Sequence, residues 1–346
     1  MVLDCRDHDP AALARPLGLL TTLTRLSISI EAGRESQGAL ASRLTCLPRL
    51  AALSLSGFGA ADLAPPLSTL TTLTSVSLTA AVVDAAGAET LGTALRHLSQ
   101  LAYLGLIASN LGANSFDALA PAWAPLSRLA DLRLDWCDLD APGVTSLARL
   151  LGTLHTLTFL SLSYFQFGDA ATDVVAPALC RLSRLAHLDL CGNWLSAAGA
   201  TALAPAIAVL TALTRLDLSR NSFGAGGAAS LAPALSHLSR LASLSLYSTS
   251  LGAAGATTLA PALGRLTALT LLDLRHNNIG NDGMQQLAPA LARLTGLQDL
   301  SLGVHGADDS AEVVLRDVLP ASVWDASDLY RWRWRAQLLA GDHDLR

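Results

Sequence analysis

The pattern L-x-x-L-x-L begins at Leu101 and recurs at Leu129, Leu157, Leu185, Leu213, Leu241, Leu269 and Leu297, always 28 residues apart. Three less regular copies precede these at Leu23, Leu50 and Leu73, the last with Val76 in its middle. A fixed period in this range marks a solenoid: one unit cannot bury its own apolar face, so neighbours must stack to share a core. Whatever one repeat folds into, the others must match it in register.

Within the repeat "LTRLDLSRNSFGAGGAASLAPALSHLSR", Leu216 and Leu218 alternate with polar residues, as in a half-buried strand. Asn221, Phe223, Gly224 and Gly227 then form a turn, and Leu231, Leu235 and Leu238 fall on one helical stripe before Leu241 opens the next strand. Pro233, like Pro121, Pro177, Pro205, Pro261 and Pro289, lies inside that helical pattern, which leaves two outcomes: a long bent helix, or a short one starting near the proline. Parallel strands stack about 4.8 Å apart and helices about 10 Å apart, so the stack must curve with its strands on the inner side.

These residues resemble the ribonuclease-inhibitor-like class of leucine-rich repeats, the type found in Ran GTPase-activating proteins and in the sensor domains of NOD-like receptors. The signature is nearly complete in "LTLLDLRHNNIGNDG", with Leu269, Leu272, Leu274, Asn277, Ile279, Gly283 and then Leu287. The resemblance implies an α/β leucine-rich repeat solenoid, a horseshoe with a parallel β-sheet on the concave face and helices on the convex face. The signature asparagine, whose amide can bridge adjacent turns, stands only at Asn193, Asn221 and Asn277; Phe58, Ala81, Ser109, Cys137, Phe165, Thr249 and His305 replace it elsewhere. An interrupted ladder and a less regular N-terminal half are therefore expected. The expected organisation is an N-terminal cap with a truncated first unit over 1–22, an array of about eleven units over 23–302, and a helical cap over 303–346 carrying Trp324, Trp332 and Trp334.

Composition narrows the class of function. Net charge is −5, and all 23 basic residues are arginine, which gives no basic balance for nucleic acid. "RWRWR" near the end reads as part of the cap. The uncharged window 63–83 contains two prolines and eight serines or threonines, which argues against a membrane span. Cys5, Cys46, Cys137, Cys180 and Cys191 form no CxxC pair, and their odd number suits reduced thiols. The expectation is a monomer in the cytoplasm, or in the nucleus, with a protein partner and neither nucleic acid nor membrane.

With leucine at the first, fourth and sixth positions of each repeat, the third, fifth and seventh should face outward along the sheet. Early strands are bland there. From Tyr103 onward come Asp131, Arg133 and Asp135, then Phe159, His187, Asp189, Arg215, Asp217, Tyr247, Asp273, Arg275 and Asp299, and the eighth position adds Trp136, Tyr164, Arg220 and His276. Aromatics and arginines rimmed by charge are the composition of binding hot spots, so these residues form the candidate partner-binding face.

Catalysis finds less support. His187, Asp189 and Cys191 carry triad chemistry, but along a strand the outer two stand roughly 13 Å apart. Asp189 and Asp217 should neighbour each other across strands, yet Arg215 and His187 would neutralise them. "FGAGGAAS" lacks the lysine and hydroxyl residue of a phosphate loop. No catalytic, cofactor or metal site is expected. The leading function is a non-enzymatic protein-interaction module acting as a scaffold; the alternatives are a GTPase activator similar to the Ran-directed family, and the sensor portion of a larger receptor or an enzyme inhibitor.

Overall fold

The computed structural model describes residues 2–4, 14, 16–30, 37–111, 115–137 and 139–302. The helical cap expected over 303–346, His305 and residues 1, 5–13 and 15 of the expected N-terminal cap lie outside them. The chain divides into two compact blocks, Met1–Asn193 and Trp194–Arg346.

In the first block the strands are β1 (Val2–Asp4), β2 (Arg25–Ser29), β3 (Ala52–Ser56), β4 (Ser75–Thr79), β5 (Val82–Val83), β6 (Tyr103–Ile107), β7 (Asn110–Leu111), β8 (Asp131–Arg133), β9 (Phe159–Ser161) and β10 (His187–Asp189). The helices between them are α1 (Gln37–Arg43), α2 (Ala60–Thr69), α3 (Ala85–Leu95), α4 (Ser115–Trp123), α5 (Ala141–Leu151) and α6 (Gly168–Leu179). All strands but β5 and β7 form one parallel sheet in chain order. The second block repeats the scheme with α7 (Ala197–Val209), β11 (Arg215–Asp217), α8 (Gly224–Leu235), β12 (Ser243–Ser245), α9 (Gly252–Leu263), β13 (Leu271–Asp273), α10 (Gly280–Leu291) and β14 (Asp299–Ser301), its strands again parallel and in order.

Register follows the period. Tyr103 pairs with Asp131, Asp131 with Phe159 and Phe159 with His187; in the second block Arg215 pairs with Ser243, Ser243 with Leu271 and Leu271 with Asp299. A slip by one residue would turn every strand leucine out of the core, so the apolar pattern enforces this alignment. Leu129, Leu132 and Leu134 in and around β8, and Leu147 and Leu151 of the following helix, are all fully buried. Each buried leucine stabilises the layer by about 1.5–3 kcal/mol.

The recurrent proline does not start a helix. Pro121, Pro177, Pro205, Pro233, Pro261 and Pro289 all sit within continuous helices, close to their C-terminal ends. The proline and the residue four before it, Ala229 for Pro233 and Thr201 for Pro205, are exposed, so the carbonyl deprived of its helical donor can turn to water. Helix starts use two devices at one repeat position. Asp84, Asp140 and Ser196 cap the helix through their side chains, whereas Gly168, Gly224, Gly252 and Gly280 turn the chain in at φ between 59 and 63°.

The asparagine ladder is interrupted at Phe58, Ala81 and Phe165 and partly replaced elsewhere. Asn193 accepts from the Phe165 amide at 3.0 Å and donates to the Leu162 carbonyl at 2.7 Å, tying two repeats. At Cys137 and Ser109, which lack the amide, a smaller group takes over one of its bonds. The Cys137 thiol donates to the Leu106 carbonyl at 3.2 Å, the same bond that Asn193 Nδ2 makes two repeats later, and Ser109 Oγ accepts the Ala81 amide at 3.3 Å. Immediately after Ala81 and Ser109 the two turns pair directly, as β5 with β7. The first block is the more varied: β2, β3, β4 and β6 have five residues each against three in every main-sheet strand from β8 on, and its helices run from 7 to 12 residues against 12 or 13 in the second block. The strand β1, ahead of the first leucine motif, is a further feature that the leucine periodicity does not foreshadow.

Candidate partner-binding face

Every residue at the eighth repeat position from Gly57 to His276 has a left-handed backbone. Glycine stands at Gly57 and Gly192, but Ala80, Ala108, Trp136, Tyr164, Arg220, Ser248 and His276 adopt φ between 49 and 60°. The cause is local: the strand must turn sharply out of the sheet before the asparagine-type turn. For a residue with a Cβ this conformation costs about 1–2 kcal/mol. Bulky side chains thus occupy a position where glycine would be unstrained, and they project beyond the strand end.

In the first block these side chains assemble. The Trp136 and Tyr164 rings stack with centroids 3.9 Å apart and 7° between planes, and Trp136 remains 57% exposed. Tyr164 has Gly192 behind it: a Cβ there would come within 2.7 Å of the tyrosine ring, so Gly192 is required both by its φ of 68° and by this approach. A second cluster lies on the strands. Phe159 and His187, register partners, stack at 4.0 Å, and the Arg133 guanidinium lies 4.1 Å from the Phe159 centroid and 5.4 Å from that of Tyr103. Asp131 holds the guanidinium with two hydrogen bonds of 3.0 Å, and these bonds raise the Arg133 pKa above its ordinary value. Asp135 accepts through Oδ1 from the Ser163 amide and hydroxyl and from the Ser161 hydroxyl. Ser161 and Ser163 are themselves buried, so not every outward-pattern position reaches solvent.

In the second block Tyr247 is the centre. Arg220 and Arg275 guanidinium carbons lie 5.1 and 5.5 Å from its ring centroid, and His276 meets it edge-on at 4.9 Å. Asp273 binds Arg275 at 2.6 Å on the exposed surface. Arg215 and Asp299, at strand starts, are exposed and stand outside this group.

The acidic residues are committed to the backbone. Asp189 accepts the Cys191 amide at 2.9 Å, Asp217 the Ser219 amide at 2.9 Å and Asp273 the Arg275 amide at 3.0 Å. At the fifth position aspartate therefore closes the strand exit two residues on, which accounts for its recurrence without acid–base chemistry. Asp189 and Asp217 belong to different blocks. Burial pushes the Cys137 thiol up to about 12, which suits a hydrogen-bond donor and not a nucleophile. Among the described residues no three His, Cys, Asp or Glu side chains converge to hold a metal ion, and no helix is long and apolar enough to cross a membrane.

Sequence reasoning found the aromatic and arginine residues but missed what supports them: Gly192, Ser161, Ser163 and the left-handed turn. The available signal was that glycine appears at the eighth position in some repeats and a bulky residue in others.

Comparison with known proteins agrees with this geometry. A leucine-rich-repeat family model matches residues 209–232 and 266–288. No curated protein sequence matches the chain. Among solved structures, the complex of Rad7 and Elc1 from yeast contains a chain with 17% identity and a TM-score of 0.56, over 94% of this chain and 80% of that one. An internalin (inlF) from Listeria monocytogenes str. 4b F2365 has 20% identity and a TM-score of 0.45, over 84% and 92%. The TLR13–ssRNA13 complex has a chain with 19% identity and a TM-score of 0.48, over 84% and 44%. The repeat and its register, with the family model and the match to the chain of the Rad7 and Elc1 complex, give the chain the leucine-rich repeat fold.

Proposed function

We propose that this protein is a non-enzymatic interaction module of the ribonuclease-inhibitor-like class that binds a protein partner across the open face of its sheet. The observation that carries the reading is the Trp136–Tyr164 stack, large planar side chains displayed to solvent on a strained backbone. The left-handed turn recurs at this position from Gly57 to His276, and what sets this pair apart is that it carries large aromatic side chains where Ala80, Ala108 and Ser248 carry small ones. Tyr103, Arg133, Phe159 and His187 extend that surface in the first block, and Arg220, Tyr247, Arg275 and His276 present a cationic, aromatic counterpart in the second. Tryptophan, tyrosine and arginine are the residues on which binding energy concentrates. The chain of this fold in the yeast structure is in a complex of Rad7 and Elc1, in keeping with a protein-binding role. A monomer acting in the cytoplasm as a scaffold completes the proposal.

Affinity capture from the source organism tests it, with wild-type chain and the variants Trp136→Ala, Tyr164→Ala and Arg220→Ala as parallel baits. Partners held by the wild type and lost by these variants are expected. Full recovery of every partner by all three would dismiss the sheet face as the binding surface.

A further inference from the structure

The aromatic stack of the first block is closed at one end and open at the other. Tyr164 fills the space over Gly192, and Trp136 covers the other face of Tyr164. The second face of the indole looks toward the preceding repeat, where the eighth position holds exposed Ala108, and Ala80 stands there in the repeat before that. Neighbouring parallel strands lie about 4.8 Å apart. Two consecutive small residues thus leave a slot beside Trp136 wide enough for one or two planar groups. Its floor is the left-handed backbone at Ala108 and Ala80, and its wall is the indole.

Charge selects the occupant. Arg133 lies over the Tyr103 and Phe159 rings, held by both oxygens of Asp131, so the chain's own guanidinium is committed to the strand starts and Asp135 is the carboxylate next to Trp136 in the chain. Asp135 uses Oδ1 for its three hydrogen bonds, and among the described residues Oδ2 accepts none. An aromatic wall next to a carboxylate with an open acceptor oxygen suits a flat cation. We infer that the slot receives an arginine side chain of the protein partner, its guanidinium stacked on Trp136 over Ala108 and hydrogen-bonded to Asp135. This rests on the partner-binding reading above and specifies the chemistry of one contact. A lysine ammonium lacks the planar face, and a neutral ring gains nothing from Asp135.

The test is a titration of the full chain with three capped peptides, acetyl-Gly-Arg-Gly-amide and its Lys and Tyr counterparts, followed by the indole N–H resonance of Trp136, assigned by its disappearance in Trp136→Phe. The arginine peptide is expected to shift that resonance saturably, with the lysine and tyrosine peptides several-fold weaker. Asp135→Asn should weaken the arginine peptide about threefold. Ala108→Tyr, a residue the equivalent position already tolerates at Tyr164, should fill the slot and abolish the shift while circular dichroism stays unchanged. No shift with the arginine peptide, equal shifts with all three, or an undiminished shift in Ala108→Tyr would each overturn the inference. Its failure is distinguishable from failure of the broader reading. If captured partners depend on Trp136 but the arginine probe does not bind, only the slot assignment falls; if the probe binds and no partner depends on the sheet face, the broader reading falls and the slot stands.

Discussion

Replacing Asn277 by alanine should remove more stability than any other single amide in the second block. Its Oδ1 accepts from the Thr249 amide at 2.9 Å and the Leu251 amide at 3.2 Å, and lies 3.0 Å from the Thr249 hydroxyl, whose one proton it shares with the Leu246 carbonyl. Its Nδ2 donates to the Leu246 carbonyl at 2.7 Å and the Leu274 carbonyl at 2.9 Å. Thr249 and Leu251 are buried and their amides have no other acceptor among the described residues, whereas the Leu246 carbonyl keeps the Thr249 hydroxyl as a donor at 2.8 Å. Two orphaned buried donors at about 1–3 kcal/mol each give a loss of roughly 2–6 kcal/mol. Equilibrium urea unfolding measures it, and hydrogen exchange at the Thr249 and Leu251 amides locates it. Asn277→Asp adds a sign to the test. It retains an acceptor but turns a carboxylate oxygen toward two carbonyls, so its folded pKa must rise above the ordinary value. The stability tied to the protonated form is then present below the unfolded pKa of about 3.9 and lost as pH rises through the folded pKa. Asn277→Asp should therefore approach the wild type on acidification, whereas Asn277→Ala should not. A loss under about 1 kcal/mol for Asn277→Ala, or unchanged exchange at both amides, would refute the account of the turn.

Three further outcomes follow from the same structure. Cys137 should resist iodoacetamide at about pH 8 in the folded chain while exposed Cys180 is labelled, as read by peptide mass spectrometry; because the Cys137 thiol is raised to about 12 from an ordinary 9.0, its contribution to stability is complete below about pH 9 and erodes between 9 and 12. Gly192→Ala puts a Cβ 2.7 Å from the Tyr164 ring at φ 68°, so it should lower stability by about 1–2 kcal/mol and diminish the near-ultraviolet dichroism of the Trp136–Tyr164 pair, with an unaltered spectrum counting against the packing described. Asp140→Ala removes the side-chain acceptor for the Gly143 amide at 2.9 Å and should destabilise α5 by about 1 kcal/mol in urea unfolding; no loss would show that the cap is dispensable.

How much of the molecule was readable in advance differs from one residue class to another. Leu132, Leu160 and Leu188 announce both their burial and their register, because alternation permits one inward face and the period permits one alignment. Pro233 announced a conflict but not its resolution, which depended on whether water could reach the carbonyl of Ala229. The acidic residues misled in the other direction. Asp189 and Asp217 look like chemistry in a one-dimensional reading, yet each carboxylate is taken up by an amide two residues on. Cys137 and Ser109 look like gaps in an asparagine ladder. They serve as its rungs, since the turn needs a donor or an acceptor at that point and not one particular side chain. The binding candidates were found by composition, but which of them touch was not.

The sequence by itself determined the repeat, the parallel pairing 28 residues apart and the leucine core, because periodic burial is a property of spacing along one chain. The tertiary structure alone decided that Trp136 stacks on Tyr164, that Gly192 leaves room for it and that Ala108 leaves the far face bare. Those relations join residues one and two repeats apart through a left-handed turn, and no local preference of tryptophan, tyrosine or alanine encodes the direction in which that turn sends them.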